Sequence, residues 1–117
     1  MSWIRIAKVE NIPVREGRAV KIDQDEIAVF NLGNRFAAIE NRCPHSGGPL
    51  CDGIVSGATV ICPLHGWKVC LDTGDILKPQ VPVRVEVYPV RVLDGVLEVD
   101  MPERHPMEDR RDRGVAA

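Results

Sequence analysis

The sequence predicts an all-β domain built from short antiparallel strands. Short β-branched runs recur between Gly, Pro, Asn and Asp turn signals, and no window sustains a helical period with caps. A third observation agrees: Gly33-Asn34 and Asp94-Gly95, dipeptides suited to tight hairpins, each lie between apolar runs.

In chain order, Glu26 to Leu32 (EIAVFNL) and Arg35 to Glu40 (RFAAIE) flank Gly33-Asn34 and read as a first hairpin whose turn takes positive φ. Val83, Val85 and Val87 then alternate with Arg84, Glu86 and Tyr88, which predicts a strand with one buried and one wet face. Val90 to Leu93 and Val96 to Val99 flank Asp94-Gly95 as another hairpin. With two Trp, two Phe and one Tyr, the core has to rest mainly on interdigitated Val and Ile, side chains that suit pleated sheets. After Asp100 the pattern stops. A domain over 1–103 is therefore expected, followed by a flexible charged tail over 104–117 in which His105 is exposed without a ligand role. Arg104, Arg110, Arg111 and Arg113 read as a solvated charge run.

A chain of 117 residues is long enough to bury a core without disulfides, and 44% hydrophobic with 27% charged residues is ordinary for a globular protein. A net charge of -2 points neither to nucleic acid nor to an anionic membrane. The start, MSWIRIAKVE, has no apolar run behind its basic residues, and no stretch approaches a membrane span, so a cytoplasmic protein is expected. A reducing compartment makes a metal or catalytic role likelier than bridging for Cys43, Cys51, Cys62 and Cys70.

Two of those cysteines have histidines close by. Cys43-Pro44-His45 and Cys62-Pro63-Leu64-His65 read C-x-H, sixteen intervening residues, then C-x-x-H. Ala37 to Ile39 precede the first loop and Ala58 to Ile61 the second, so two hairpin tips pressed together would bring two thiolates and two imidazoles to one place. Such a set can bind zinc tetrahedrally, or a two-iron cluster with the cysteines on one iron and the histidines on the other. A cysteine nucleophile with a histidine base would explain one pair and leave the other idle. A zinc staple of this ligand type usually groups Cys with Cys and His with His, whereas here each loop offers one of each.

The paired motif resembles that of Rieske [2Fe-2S] domains, from about Trp3 to Asp100. The resemblance implies stacked antiparallel β-sheets with both cluster loops at one tip. It implies that Cys43 and Cys62 hold the inner iron and His45 and His65 the outer one. Gly47, Gly48 and Gly66 would let backbone amides approach sulfur, with Trp67 beside them. High-potential members carry an extra cysteine in each loop, at positions that look like Gly48 and Leu64 here, and their hydrogen-bonding serine and tyrosine appear as Trp67 and Val69. Fewer donors place the expected potential in the lower half of the Rieske range of about -150 to +300 mV. Cys51 and Cys70 then read as ordinary thiols.

No glycine-rich phosphate loop is visible, and the chain has no room for a flavin domain or a catalytic iron site, so it would serve as the electron-transfer subunit of an oxidoreductase. Pro44, Pro49, Leu50, Leu64 and Trp67 would form an apolar collar for a redox protein partner. IPVREGRAV, CPLHGWKVCLDTGDI and VEVYPVRVLDGVLEV are similar to the small subunit family of assimilatory NAD(P)H nitrite reductase, whose partner would be the large subunit that reduces nitrite to ammonia. CPLHGW is equally similar to Rieske-type ferredoxins of aromatic-ring dioxygenases, whose partners would be the oxygenase and its reductase. The YPV segment followed by a hairpin favours the nitrite reductase family. A zinc-stapled interaction module is the reading from another class.

Overall fold

The computed structural model describes residues 2–44, 47–64 and 66–101; the expected tail over 104–117 lies outside them. Eleven strands occupy that span: β1 (Ser2–Lys8), β2 (Gly17–Ile22), β3 (Asp25–Asn31), β4 (Phe36–Glu40), β5 (Ile54–Ser56), β6 (Thr59–Ile61), β7 (Lys68–Cys70), β8 (Ile76–Lys78), β9 (Val87–Tyr88), β10 (Val90–Leu93) and β11 (Val96–Met101). Single 3-10 turns at Val9–Asn11 and Leu50–Asp52 are the only helical pieces among the described residues.

The strands form three antiparallel sheets, ordered β1-β11-β10, β2-β3-β4-β9 and β5-β6-β7-β8. Stacked antiparallel sheets are what the resemblance to Rieske domains implies. The second sheet is the middle layer, and its sequence explains why. Along β3, Ile27 and Val29 point into one core with Leu97 and Val99 of the first sheet, while Ala28 and Phe30 point into another with Val60 and Val69 of the third. A strand covered on both faces reads as a continuous apolar run, and Ile27 to Phe30 are all fully buried. Among the described residues, Val and Ile supply ten of the twenty-one buried hydrophobic residues, with Phe30 and Tyr88 as the buried aromatics.

On the outer face of the first sheet, Glu98 is buried beneath two arginines. Arg91 Nε donates to Oε1 at 2.8 Å and Arg5 Nη1 lies 3.5 Å from Oε2. The Arg91 guanidinium also stands 4.2 Å over the Trp3 ring, a cation–π contact that helps to cover the carboxylate.

Asp94-Gly95 makes the tight turn expected of it, with φ of 54° and 75°. The first hairpin differs. Only Gly33 takes positive φ, at 97°, and Leu32 N–H donates to Arg35 O across a wider loop in which Asn31 Oδ1 accepts from Gly33 N–H. The valine alternation after Pro82 is also corrected. Only Val87 and Tyr88 join a sheet: Val83 to Glu86 make an isolated bridge, Asp75 to Arg84, and single hydrogen bonds from Val85 N–H to Gly74 O and from Glu40 N–H to Glu86 O, and although Val85 is buried, Val83 stays exposed. Tyr88, expected on the wet face, is buried because it pairs with Ala38 and enters the core between the first two sheets.

Candidate metal centre

Cys43 leaves the end of β4 and Cys62 the end of β6, and both side chains enter the core between the middle and third sheets at 1% and 2% exposure. The topology thus carries two thiols, nineteen residues apart in sequence, into one hydrophobic cluster. None of the four cysteines is joined in a disulfide.

The two loops share one turn. Cys43 N–H donates to Gly48 O at 2.9 Å and its carbonyl accepts from Gly47 N–H at 2.7 Å; Cys62 N–H donates to Trp67 O at 2.7 Å and its carbonyl accepts from Gly66 N–H at 3.0 Å. In each, the glycine four residues after the cysteine has a left-handed φ, 74° at Gly47 and 76° at Gly66, a conformation that side chains with a Cβ resist. Pro44 and Pro63 follow the cysteines, where a fixed φ near -65° suits the start of a turn. His45 and His65, assigned as ligands from sequence, lie outside the described residues. Among the described residues, no group of three or more His, Cys, Asp or Glu side chains gathers.

A third copy of the turn begins at Cys70, where its N–H donates to Asp75 O at 2.9 Å, its carbonyl accepts from Gly74 N–H at 2.8 Å and Gly74 has φ of 82°. The signal was present in the sequence as C-x-x-x-G, which occurs as CPHSG, CPLHG and CLDTG, although the chain reads as free of internal repeats. Burial pushes the Cys70 thiol up, but hydrogen bonds from the Thr73 side chain and the Thr73 and Asp72 backbone outweigh it and hold the thiol below its ordinary range. Cys51 runs the other way, raised by burial and by Asp52 despite the Asn41 hydrogen bond.

Other expectations resolve residue by residue. Only the second loop is a hairpin tip, between the paired strands β6 and β7; the first joins β4 of the middle sheet to the 3-10 turn ahead of β5 in the third. Pro44, Pro49 and Leu64 are exposed and Trp67 is half-buried, as an apolar collar requires. Leu50 is not part of it. The 3-10 turn rotates its side chain inward, where it is fully buried against the same core as Cys43. Gly48 is buried and Gly47 and Gly66 are exposed at the loop surface.

An all-β three-sheet stack carrying a pair of buried cysteines in matching turns is the architecture of an iron–sulfur electron-transfer domain, and the chain belongs to the Rieske family: residues 2–100 match the Rieske-like [2Fe-2S] domain. The cofactor of this family is the Rieske-type [2Fe-2S] cluster, and the residues present fit it, since two apolar-shielded thiols from separate loops are the sulfur half of the required donor set. Among relatives, the 3-phenylpropionate/cinnamic acid dioxygenase ferredoxin subunit of Escherichia coli K12 is 39% identical over 108 residues, covering 91% of this chain and all of the relative. The ferredoxin of carbazole 1,9a-dioxygenase from Nocardioides aromaticivorans IC177 superposes with a TM-score of 0.78 at 27% identity, over 85% of this chain and 97% of that one. A candidate NADH-dependent nitrite reductase small subunit from Mycobacterium tuberculosis reaches 0.80 at 28% identity, over 88% and 97%. No described helix is long and apolar enough to cross a membrane.

Proposed function

We propose that this chain is the ferredoxin component of an aromatic-ring-hydroxylating dioxygenase system, carrying one electron at a time from a reductase to an oxygenase in the cytoplasm. Cys43 and Cys62 hold one iron and His45 and His65 the other. When bound, the cluster supplies a single-electron acceptor that neutral imidazole ligands make easier to reduce than an all-thiolate one. The chain's own residues supply the rest. The core of Phe30, Ile39, Leu50 and Val60 keeps water from the sulfur side, and the Gly47 and Gly66 N–H groups close the two turns onto the Cys43 and Cys62 carbonyls. Exposed Pro44, Pro49 and Leu64 offer a small apolar seat for the partner protein. The observation that carries this reading is full-length similarity at 39% identity to a dioxygenase ferredoxin subunit.

The small subunit of NAD(P)H nitrite reductase is the second reading, favoured by the YPV segment and hairpin at Tyr88 to Val99 and by the likeness to the Mycobacterium tuberculosis structure. Purified protein reduced with dithionite is expected to give a rhombic EPR signal of low average g, and to pass electrons to an aromatic-ring oxygenase in a reconstituted chain. Turnover only with a siroheme nitrite reductase would move the assignment to the second reading. Colourless protein holding one equivalent of zinc would defeat both, as would His65→Cys protein whose midpoint potential is unchanged.

A further inference from the structure

The two cluster loops are built alike but braced differently. At the second, β6 and β7 pair directly across the base, Thr59 with Cys70, Val60 with Val69 and Ile61 with Lys68. The first loop has no such ladder, because its ends belong to different sheets. One side chain closes it instead. Asn41, 6% exposed, accepts from Cys51 N–H through Oδ1 at 2.8 Å and donates through Nδ2 to Cys51 Sγ at 3.4 Å. Its own N–H donates to Glu26 O at 3.0 Å, which ties the near end of the loop to β3. The far end is packed as well: the Cys51 carbonyl lies against Gly17, so close that a Cβ there would stand 2.8 Å from it, and Leu50 is sealed in the core.

We propose that Asn41 is a positioning residue for the cluster, setting the span of the first loop and so the direction in which Cys43 is presented. The inference rests on the cluster reading above. It also gives Cys51 a role through its backbone N–H rather than through its thiol. Neither group has to titrate for the brace to work.

A matched control exists in the same hairpin. Asn31 also uses both ends of its amide, donating to Ile12 O at 2.8 Å and accepting from Gly33 N–H at 2.9 Å, but it sits at the opposite end of β3 and β4. The test compares full-length wild type, Asn41→Ala, Asn41→Asp and Asn31→Ala for iron loss to a chelator, EPR g-values and line widths, midpoint potential and thermal unfolding. Asn41→Ala is expected to lose iron about tenfold faster, the scale seen when groups supporting metal ligands are removed, with altered g-values. Asn41→Asp, which keeps the acceptor for Cys51 N–H, should fall between it and wild type. Asn31→Ala should lower the melting temperature and leave the EPR signal and iron loss unchanged.

Wild-type behaviour of Asn41→Ala in iron loss, g-values and potential would overturn the inference while leaving the cluster reading intact. The same spectroscopic change in Asn31→Ala would also overturn it. If Asn41→Ala does not fold, Asn41→Asp decides: parity with wild type in iron loss and g-values refutes the brace, and faster loss with shifted g-values supports it. A wild-type chain without iron and sulfide would sink the cluster reading and this inference together.

Discussion

Gly53, between the 3-10 turn and β5, has φ of -77° and ψ of 174°, a conformation open to any residue, so replacing it with alanine tests space alone. A Cβ there would overlap the Ile61 carbonyl oxygen, sit 2.7 Å from Val60 Cγ2 and lie 3.1 Å from Ile61 C. Two of those three atoms are backbone, so no rotamer change relieves the overlap. The β5–β6 pairing has to open instead, and it consists only of Ile54 with Ile61, Val55 with Val60 and Ser56 with Thr59. Overpacking of this kind costs about 2 kcal/mol, which for a domain of this size lowers the melting temperature by roughly 8–16 °C. The displacement also reaches the cluster loop, because Ile61 directly precedes Cys62. Gly53→Ala should therefore lose stability in a thermal melt and contain less iron per chain after matched purification. A melting temperature within ~2 °C of wild type, or full iron content in a destabilised variant, would refute the reasoning.

Glu98 and its arginines predict an order of effects. Glu98→Gln leaves two guanidiniums that reach water and costs about 1 kcal/mol. The double variant Arg5→Met/Arg91→Met strands a carboxylate whose side chain is 6% exposed and costs about 3 kcal/mol; urea unfolding should rank them so, and the reverse order would count against the buried pair. Iodoacetamide labelling followed by mass spectrometry should find Cys70 modified before Cys51, since one thiol is lowered and the other raised. Between the lowered pKa of Cys70 and the ordinary thiol value, the folded chain binds fewer protons than the unfolded one. The stability gap between wild type and Cys70→Ser should therefore widen as pH rises through that window, and a gap that narrows would contradict it. Leu64, 54% exposed within the second loop, should matter for partner docking alone. Leu64→Ser, which removes the apolar surface without adding charge beside the cluster, is expected to slow electron delivery to the oxygenase about tenfold with unchanged midpoint and melting temperature, and equal loss of all three would argue for a folding role.

Much of the fold was legible because it rests on local chemistry. The turn at Asp94-Gly95 and the apolar runs of β3, β4, β10 and β11 carry their own signals. Readings failed where a residue's fate depends on pairing elsewhere. Val83 alternates correctly but finds no strand to pair with, and Tyr88 looks amphipathic until Ala38 and the first sheet cover it. Leu50, beside Pro49 in an irregular stretch, gives no sign that a single 3-10 turn will face it inward. Asn41 was invisible for a similar reason: an asparagine before a loop reads as a turn former, and its partner Cys51 is named only by the folded chain. Cys43 and Cys62 were legible from spacing, and the fold adds that they enter one core.

The turn at Cys70 to Gly74 repeats the backbone hydrogen bonds and the left-handed glycine of the turns at Cys43 and Cys62, with Leu71, Asp72 and Thr73 in its sequence and no histidine. Shape and chemistry are therefore separable in this molecule. An engineer wishing to graft an additional imidazole-bearing segment would find a receptacle already moulded, needing exchanged letters and no rebuilt backbone.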